Sequence, residues 1–284
     1  MKYNNPLPPE GINTSQTSPL KELLLLSTGF IGLIVAAVLV LGLFADKFAQ
    51  YIPFETEVEL SSSFEWDEQK NDVQLYLQTL ANQLAMAQDF PKDMSITVHY
   101  IDDKTVNAMA TLGGHIIIFR GLLEKLNSEN AIAMVLAHEI AHIHFRHPIQ
   151  SLGRDAVISL ALSAVGMTAG DTGSILNSTG LLTALSFSRE QEQASDYAAL
   201  QSLKNYYGHI NGATDLFEVL MAENSSFTPH ITFLSTHPLS ENRIKNILNN
   251  AHAQGWDTQG KLTSVPKNIQ TLIQQQKSRP NPEG

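Results

Sequence analysis

Leu23 to Ala45 is a run of 23 residues without a charge, and no later stretch of the chain shares its hydropathy. As a helix rising 1.5 Å per residue it is ~34 Å long, enough for a hydrocarbon core of ~30 Å, so it predicts a transmembrane anchor over 23–45. A buried core helix seldom reaches that length. A cleaved signal peptide is the competing reading. The run exceeds a usual signal h-region, and the pairs Leu43/Ala45 and Lys47/Ala49 lack the small first residue of a cleavage site. Met1 to Ser18 is polar and rich in Pro, Asn, Ser and Thr, which predicts a disordered tail over residues 1–22.

Beyond the run the pattern becomes that of a globular domain. Asp72 to Gln88 places Leu75, Leu80 and Leu84 at helical spacing, Met94 to Ile101 alternates through Ile96, Val98 and Tyr100, and His115 to Phe119 is a second strand. Asn130 to Phe145 is the strongest helix pattern. Ile132, Val135, Leu136, Ile140 and Ile143 recur on it without Gly or Pro, Asn127 or Ser128 can cap it, and His147-Pro148 marks its end. Leu181 to Leu203 and Ser240 to Ala253 read as further helices. Asp155 to Gly180 starts apolar and turns Gly-rich, too broken to span a bilayer, which predicts a helix and a mobile loop over a cleft. Gln259 to Gly284 shows no periodicity and reads as a polar C-terminal tail. The expected fold is α+β, mainly α-helical, with a small edge-exposed β-sheet in a domain over 46–258.

Composition narrows the function classes. A formal net charge of −10 argues against nucleic acid, which needs a basic stripe, and does not favour docking on anionic lipid. There is no cysteine, so disulfides give no compartment. Lys2, Lys21 and the amino terminus precede the apolar run, whereas Lys47 follows it in the acidic company of Asp46, Glu55, Glu57 and Glu59. The positive-inside rule then predicts a cytoplasmic N-terminus and a domain outside, on the periplasmic side of an inner membrane.

The candidate chemistry lies on the strongest helix. His138-Glu139-Ile140-Ala141-His142 matches H-E-x-x-H, in which two histidines one helical turn apart aim at one zinc ion while the glutamate, ~100° around, reaches a water. An accidental match on a core helix is the bland alternative. Catalytic zinc takes three protein ligands, so another His, Glu or Asp is required. Ser188 to Asp196 offers Glu192 and Asp196 on one helical face. Glu192 as ligand with Asp196 accepting a ring N–H would suit a metal site, and an exposed charged turn paired to Arg189 would suit the same letters.

These motifs make the chain resemble the membrane-associated zinc metallopeptidases that include HtpX, BepA, LoiP and the CAAX-prenyl endoprotease, zincin-like gluzincins, from about Val106 to Leu248. The resemblance is carried by Asn107-Ala108, by Gly113-Gly114 with the strand His115 to Phe119, by H-E-x-x-H, by Ser188 to Asp196 with Ser195 in place of an alanine, and by Thr236-His237-Pro238 with Arg243 following. It implies one zinc ion held by His138, His142 and Glu192, Asp196 behind a zinc histidine, and Glu139 as general base. It implies further that an edge strand beside the metal, marked by Asn107, Gly114, His115 and Ile116, holds the substrate in extended form. Ser195 is a small departure that should leave the metal undisturbed. His237 is expected near the metal, donating to the oxyanion or capping a resting site, and Arg243 is expected to brace that loop. His144 and His147 fall 180–240° around the helix from His138 and read as packing residues.

The expected function is zinc-dependent endopeptidase activity in membrane or envelope protein quality control, on misfolded or misassembled proteins, with one helix in the membrane and no nucleic acid. The alternative is a non-catalytic, zinc-stabilised binding or chaperone-like module, which has no use for Glu139. A prenyl-protein protease would need many more membrane helices than one.

Overall fold

The computed structural model describes residues 18–49, 51–62, 71–154, 186–224, 232–233, 237 and 242–278. Helix α1 (Pro19–Ala49) contains the apolar run, and large apolar side chains along it, among them Leu23, Leu26, Phe30, Leu33, Leu39 and Phe44, stand exposed. Among the described residues it is the one helix long and apolar enough to cross a membrane. The expected loop over 155–180 lies outside the described residues, as does nearly all of the N-terminal tail.

Around the core run α2 (Phe54–Ser61), α3 (Asp72–Ala87), β1 (Thr97–Ile101), β2 (Ala108–Thr111), β3 (His115–Phe119), a short α4 (Arg120–Leu123) and α5 (Glu129–His144). They are followed by α6 (Arg189–Tyr207), α7 (Asp215–Asn224), α8 (Arg243–Gln254) and α9 (Lys267–Lys277). Helix α5 starts where Ser128 accepts a hydrogen bond from the Ala131 amide. It is apolar nearly all round and buried accordingly, packed between α3, α6 and the sheet. Helix α6 starts at Ser188, which forms a reciprocal capping box with Gln191, and ends at Gly208 in the left-handed conformation.

Three readings of the sequence change. The strand His115–Phe119 is central: it pairs in parallel with β1 and antiparallel with β2, in the order β1-β3-β2. The edge beside α5 therefore belongs to β2, whose four residues are all buried and show no alternation to betray a strand. Leu75, expected inward on α3, is exposed, and Val73, Leu77, Leu80, Ala81 and Leu84 form the buried face. The C-terminal segment is no structureless tail over 267–277, because α9 buries Ile269 and Ile273 in the main core and Gln276 accepts a hydrogen bond from the Tyr100 hydroxyl at 2.7 Å. Val265, Ile269, Leu272 and Ile273 recur at helical spacing and form one apolar stripe among the glutamines.

Candidate metal centre

Helix α5 presents His138 and His142 from one face, one turn apart, with their Nε2 atoms 3.0 Å from each other. Helix α6, packed along α5, brings up Glu192, whose carboxylate oxygens lie 3.5 Å from His138 Nε2 and 3.4 Å from His142 Nε2. His237 adds Nδ1 at 2.9 Å from Glu192 and 3.4 Å from His138 Nε2. All four side chains are buried, and their donor atoms fall within 4.8 Å of one another. A tetrahedral zinc ion with bonds of ~2.0–2.1 Å would separate its ligand atoms by ~3.3–3.4 Å. The measured separations of 2.9–3.5 Å bracket that edge. Three imidazoles and a carboxylate converging at these separations are a donor set that fits a metal ion.

Glu139 is fully buried, and neither of its oxygens has a hydrogen-bond partner among the described residues. His237 Nε2, at 3.4 Å, is close without bonding. A buried carboxylate left open in this way is costly unless something else occupies its lone pairs. It stands beside the donor cluster, free to meet a polar guest.

Behind the donors is a layer of buried polar groups. Asp196, one turn beyond Glu192 on α6, sits 3.0 Å from His138 Nδ1. Arg243 opens α8 and donates to Asp196 through Nε at 2.9 Å and a terminal nitrogen at 2.7 Å. Its other terminal nitrogen lies 2.7 Å from Glu192 Oε2, with the guanidinium over the Phe217 ring at 4.6 Å. Arg243, expected to brace the loop of His237, has its ion pairs with the two carboxylates on α6. Thr236 and Pro238 lie outside the described residues.

His147, a packing residue by its helical angle, is not among the four donors. It nevertheless lies 2.9 Å from His142 Nδ1, with the Ser195 hydroxyl 3.4 Å from its own Nδ1. Helical angles miss this contact because Arg146 takes φ +61° and turns the chain back after α5. Phe187, just before the α6 cap, stacks on His142 with ring centroids 3.9 Å apart, and Phe233 stacks on His237 at 4.5 Å. No spacing in the sequence signals either aromatic contact.

Burial and charge set the protonation of the cluster. Burial would lower His138, but Asp196 and Glu192 outweigh it and raise its pKa to about 9. Burial holds His142 well below its ordinary value, so its ring is neutral, whereas His138 would give up its proton to a bound metal. Burial alone would raise Glu192, and the neighbouring histidines His237, His138 and His142 instead hold its carboxyl far below the usual range. His147 is lowered to about 4 by burial and by the charge on His138.

Of the residues expected to bind substrate, Asn107 is buried at the start of β2, and its Oδ1 has no hydrogen-bond partner among the described residues. Gly114 lies against the Ser95 carbonyl with no room for a Cβ, Ile116 lies in the main core, and His115 Nδ1 contacts His99 Nε2 at 2.8 Å.

A helix bearing H-E-x-x-H, a carboxylate from a following helix and a small mixed sheet alongside define the metallopeptidase class of gluzincin type. The family model for peptidase family M48 matches residues 71–251, and the chain belongs to that family. It is similar to the mitochondrial metalloendopeptidase OMA1 of Schizosaccharomyces pombe, 33% identical over 159 residues, 55% of this chain and 46% of that protein. It is also similar to the beta-barrel assembly-enhancing protease of Escherichia coli K12, 30% identical over 168 residues, 54% of this chain and 34% of that one. A putative protease of the same name from Vibrio cholerae is 28% identical over 180 residues, 60% and 37% of the two chains. The chain thus matches less than half the length of these curated relatives.

Proposed function

We propose that the protein is a zinc-dependent endopeptidase anchored in a membrane by α1. The observation that carries this reading is the close-set, buried group of His138, His142 and Glu192 with the uncommitted, buried carboxylate of Glu139 beside it. When bound there, zinc would polarise the scissile carbonyl and bring the pKa of a water toward ~7. Glu139 accepts the proton of the attacking water and returns it to the leaving amine. Asp196 fixes the His138 ring through Nδ1, leaving Nε2 for the metal, and Arg243 holds Asp196 and Glu192 in register.

Substrate binding belongs to β2. The Phe119 amide donates to the Asn107 carbonyl, so in the antiparallel alternation Asn107, Met109 and Thr111 face β3 while Ala108 and Ala110 turn their backbone groups to the outer edge. An extended peptide can add there, with Asn107 Oδ1 at the start of that edge to receive an amide. The segment that delivers His237 already touches this edge, the Phe233 amide donating to the Val106 carbonyl at 3.3 Å. His237 in the fourth position beside three ligands describes a capped, resting site from which it withdraws to admit water and peptide. A structural, non-catalytic metal site would have no role for Glu139.

The cellular setting is a membrane or envelope in which misfolded or misassembled proteins are removed. One relative is named for β-barrel assembly, and α1 exposes an apolar surface that a bilayer would cover. The small excess of lysines before the apolar run of α1 supports a domain on the outer side. The test is Glu139→Gln. It should retain about one zinc per chain and lose at least ~100-fold in peptide hydrolysis. Full activity with zinc bound would remove the assignment.

A further inference from the structure

His142 and His147 are separated by a stretch that, on an unbroken helix, would set them ~140° from each other. The structure brings them together instead. His147 Nδ1 stands 2.9 Å from His142 Nδ1, with the rings edge-on and their centroids 4.9 Å apart. The chain reversal is made by Arg146, a non-glycine residue at φ +61° between the end of α5 and His147. Such a conformation persists only where its surroundings hold it. Here Arg146 Nε donates to Glu57 on α2 at 2.5 Å, a terminal nitrogen donates to the Ile52 carbonyl at 2.9 Å, and the guanidinium covers the Phe54 ring. Glu57 is itself buried, with its other oxygen 3.4 Å from the Gly113 amide.

Two ring nitrogens at 2.9 Å share one proton, so one donates and the other accepts. The opposite edge of the His142 ring decides which. Its Nε2 faces His138 and Glu192 in the donor cluster, and a neutral imidazole that offers Nε2 to a metal carries its hydrogen on Nδ1. His142 Nδ1 therefore donates, His147 Nδ1 accepts, and the hydrogen of His147 sits on its own Nε2. The Ser195 hydroxyl, 3.4 Å from the same His147 nitrogen, is a longer and weaker neighbour. With Phe187 stacked on the His142 ring and both histidines buried, the bond is screened from water. Among the described residues no carboxylate or carbonyl takes this place behind His142, whereas Asp196 stands 3.0 Å behind His138. A neutral acceptor suits the site, because Glu139, Glu192 and Asp196 are already buried around the cluster and another carboxylate would add a further buried charge.

We propose that His147 is a positioning residue for the metal ligand His142: its Nδ1 accepts the His142 Nδ1 hydrogen and so fixes the tautomer and ring angle that turn Nε2 toward the metal, while the ion pair of Glu57 and Arg146 keeps it in place. The proposal rests on the reading of His138, His142 and Glu192 as a zinc site. His147 touches no reacting atom. Loss of an outer partner of this kind weakens metal binding ~10–100-fold, so occupancy of the metal centre depends on a residue beyond the end of the metal helix. The acceptor atom is what separates this role from packing. Asparagine places Oδ1 near the position of the imidazole Nδ1 but leaves a void, whereas phenylalanine fills the space and offers no acceptor.

The experiment measures zinc affinity of the full-length protein in detergent micelles by competition against a chromogenic chelator, with the melting curve of the metal-free form beside it. His147→Phe should weaken zinc binding ~10–100-fold, and His147→Asn should stay within about 3-fold of the parent. A loss in His147→Asn as large as in His147→Phe, or none in His147→Phe, is what packing alone gives and overturns the proposal. Glu57→Ala should weaken zinc binding in the same direction, and the double variant should bind no more weakly than His147→Phe alone. Additive losses overturn the link through Arg146. The wild type supplies a readout that needs no variant to fold. In zinc-loaded protein carrying isotope-labelled histidine, NMR correlation of ring nitrogens with carbon-bound ring protons should show His147 with its hydrogen on Nε2, and a hydrogen on Nδ1 overturns the acceptor role. A wild type that binds no zinc overturns the metal-site reading itself, an outcome distinct from all of these.

Discussion

Replacing Asp196 by asparagine isolates what the layer behind the donors contributes. Asp196 lies 3.0 Å from His138 Nδ1 and accepts from Arg243 at 2.9 and 2.7 Å, with both partners buried. Asparagine keeps the shape but offers one acceptor oxygen and one NH2, so a donor must face either the guanidinium or the ring N–H. Loss of an outer partner of this kind lowers metal affinity ~10–100-fold, which is about 1.4–2.8 kcal/mol. Fold stability suffers separately. Breaking a buried ion pair costs about 3–5 kcal/mol, and because Arg243 retains Glu192 Oε2 at 2.7 Å the expected loss is nearer ~2–3 kcal/mol. Competition against a chromogenic zinc chelator reads the first quantity, and thermal melting of metal-free protein reads the second. Wild-type zinc affinity beside a lowered melting temperature would reduce Asp196 to an anchor for α8. Wild-type values in both would refute the reasoning altogether.

His237→Ala should raise basal peptide hydrolysis if His237 caps the fourth position, and should lower kcat ~10²–10³-fold with little change in KM or Tm if it donates to the oxyanion; a purely thermal effect removes it from the site. His99 is lowered to about 4 by burial and by His115, and His115 is lowered by burial as well. Both rings stay neutral in the folded protein while the unfolded chain takes up protons below pH ~6.5, so this pair makes stability fall as pH drops from ~6.5 toward 4. His99→Gln should therefore flatten the parent's loss of stability between pH 6.5 and 5 in urea titrations, and an unchanged slope would exclude the pair as its source. Ile273→Ala, on the C-terminal helix, should cost about 2–4 kcal/mol in chemical denaturation, against no change if that segment were an unpacked tail.

Local rules carried much of this protein. The run Leu23 to Ala45 needs no partner to declare itself, since length and lack of charge alone decide whether a helix suits a bilayer. His138, Glu139 and His142 were equally legible, because one helix places all three and its period is known beforehand. Glu192 and Asp196 were halfway cases: their shared face follows from spacing, but only the packing of α6 along α5 turns that face toward the histidines. What escaped depended on pairing and chain reversal. The central place of β3 required β2, a four-residue strand without alternation. The approach of His147 to His142 required Arg146 in a left-handed turn, and that turn is held by Glu57, 89 residues earlier in the chain. The sequence by itself determined which residues could bind a metal and which segment could enter a membrane. Only the tertiary structure decided that Arg243 serves two carboxylates at once, that Glu139 is left uncommitted, and that α2 reaches the end of the metal helix, because each depends on contacts between distant segments that no local period encodes.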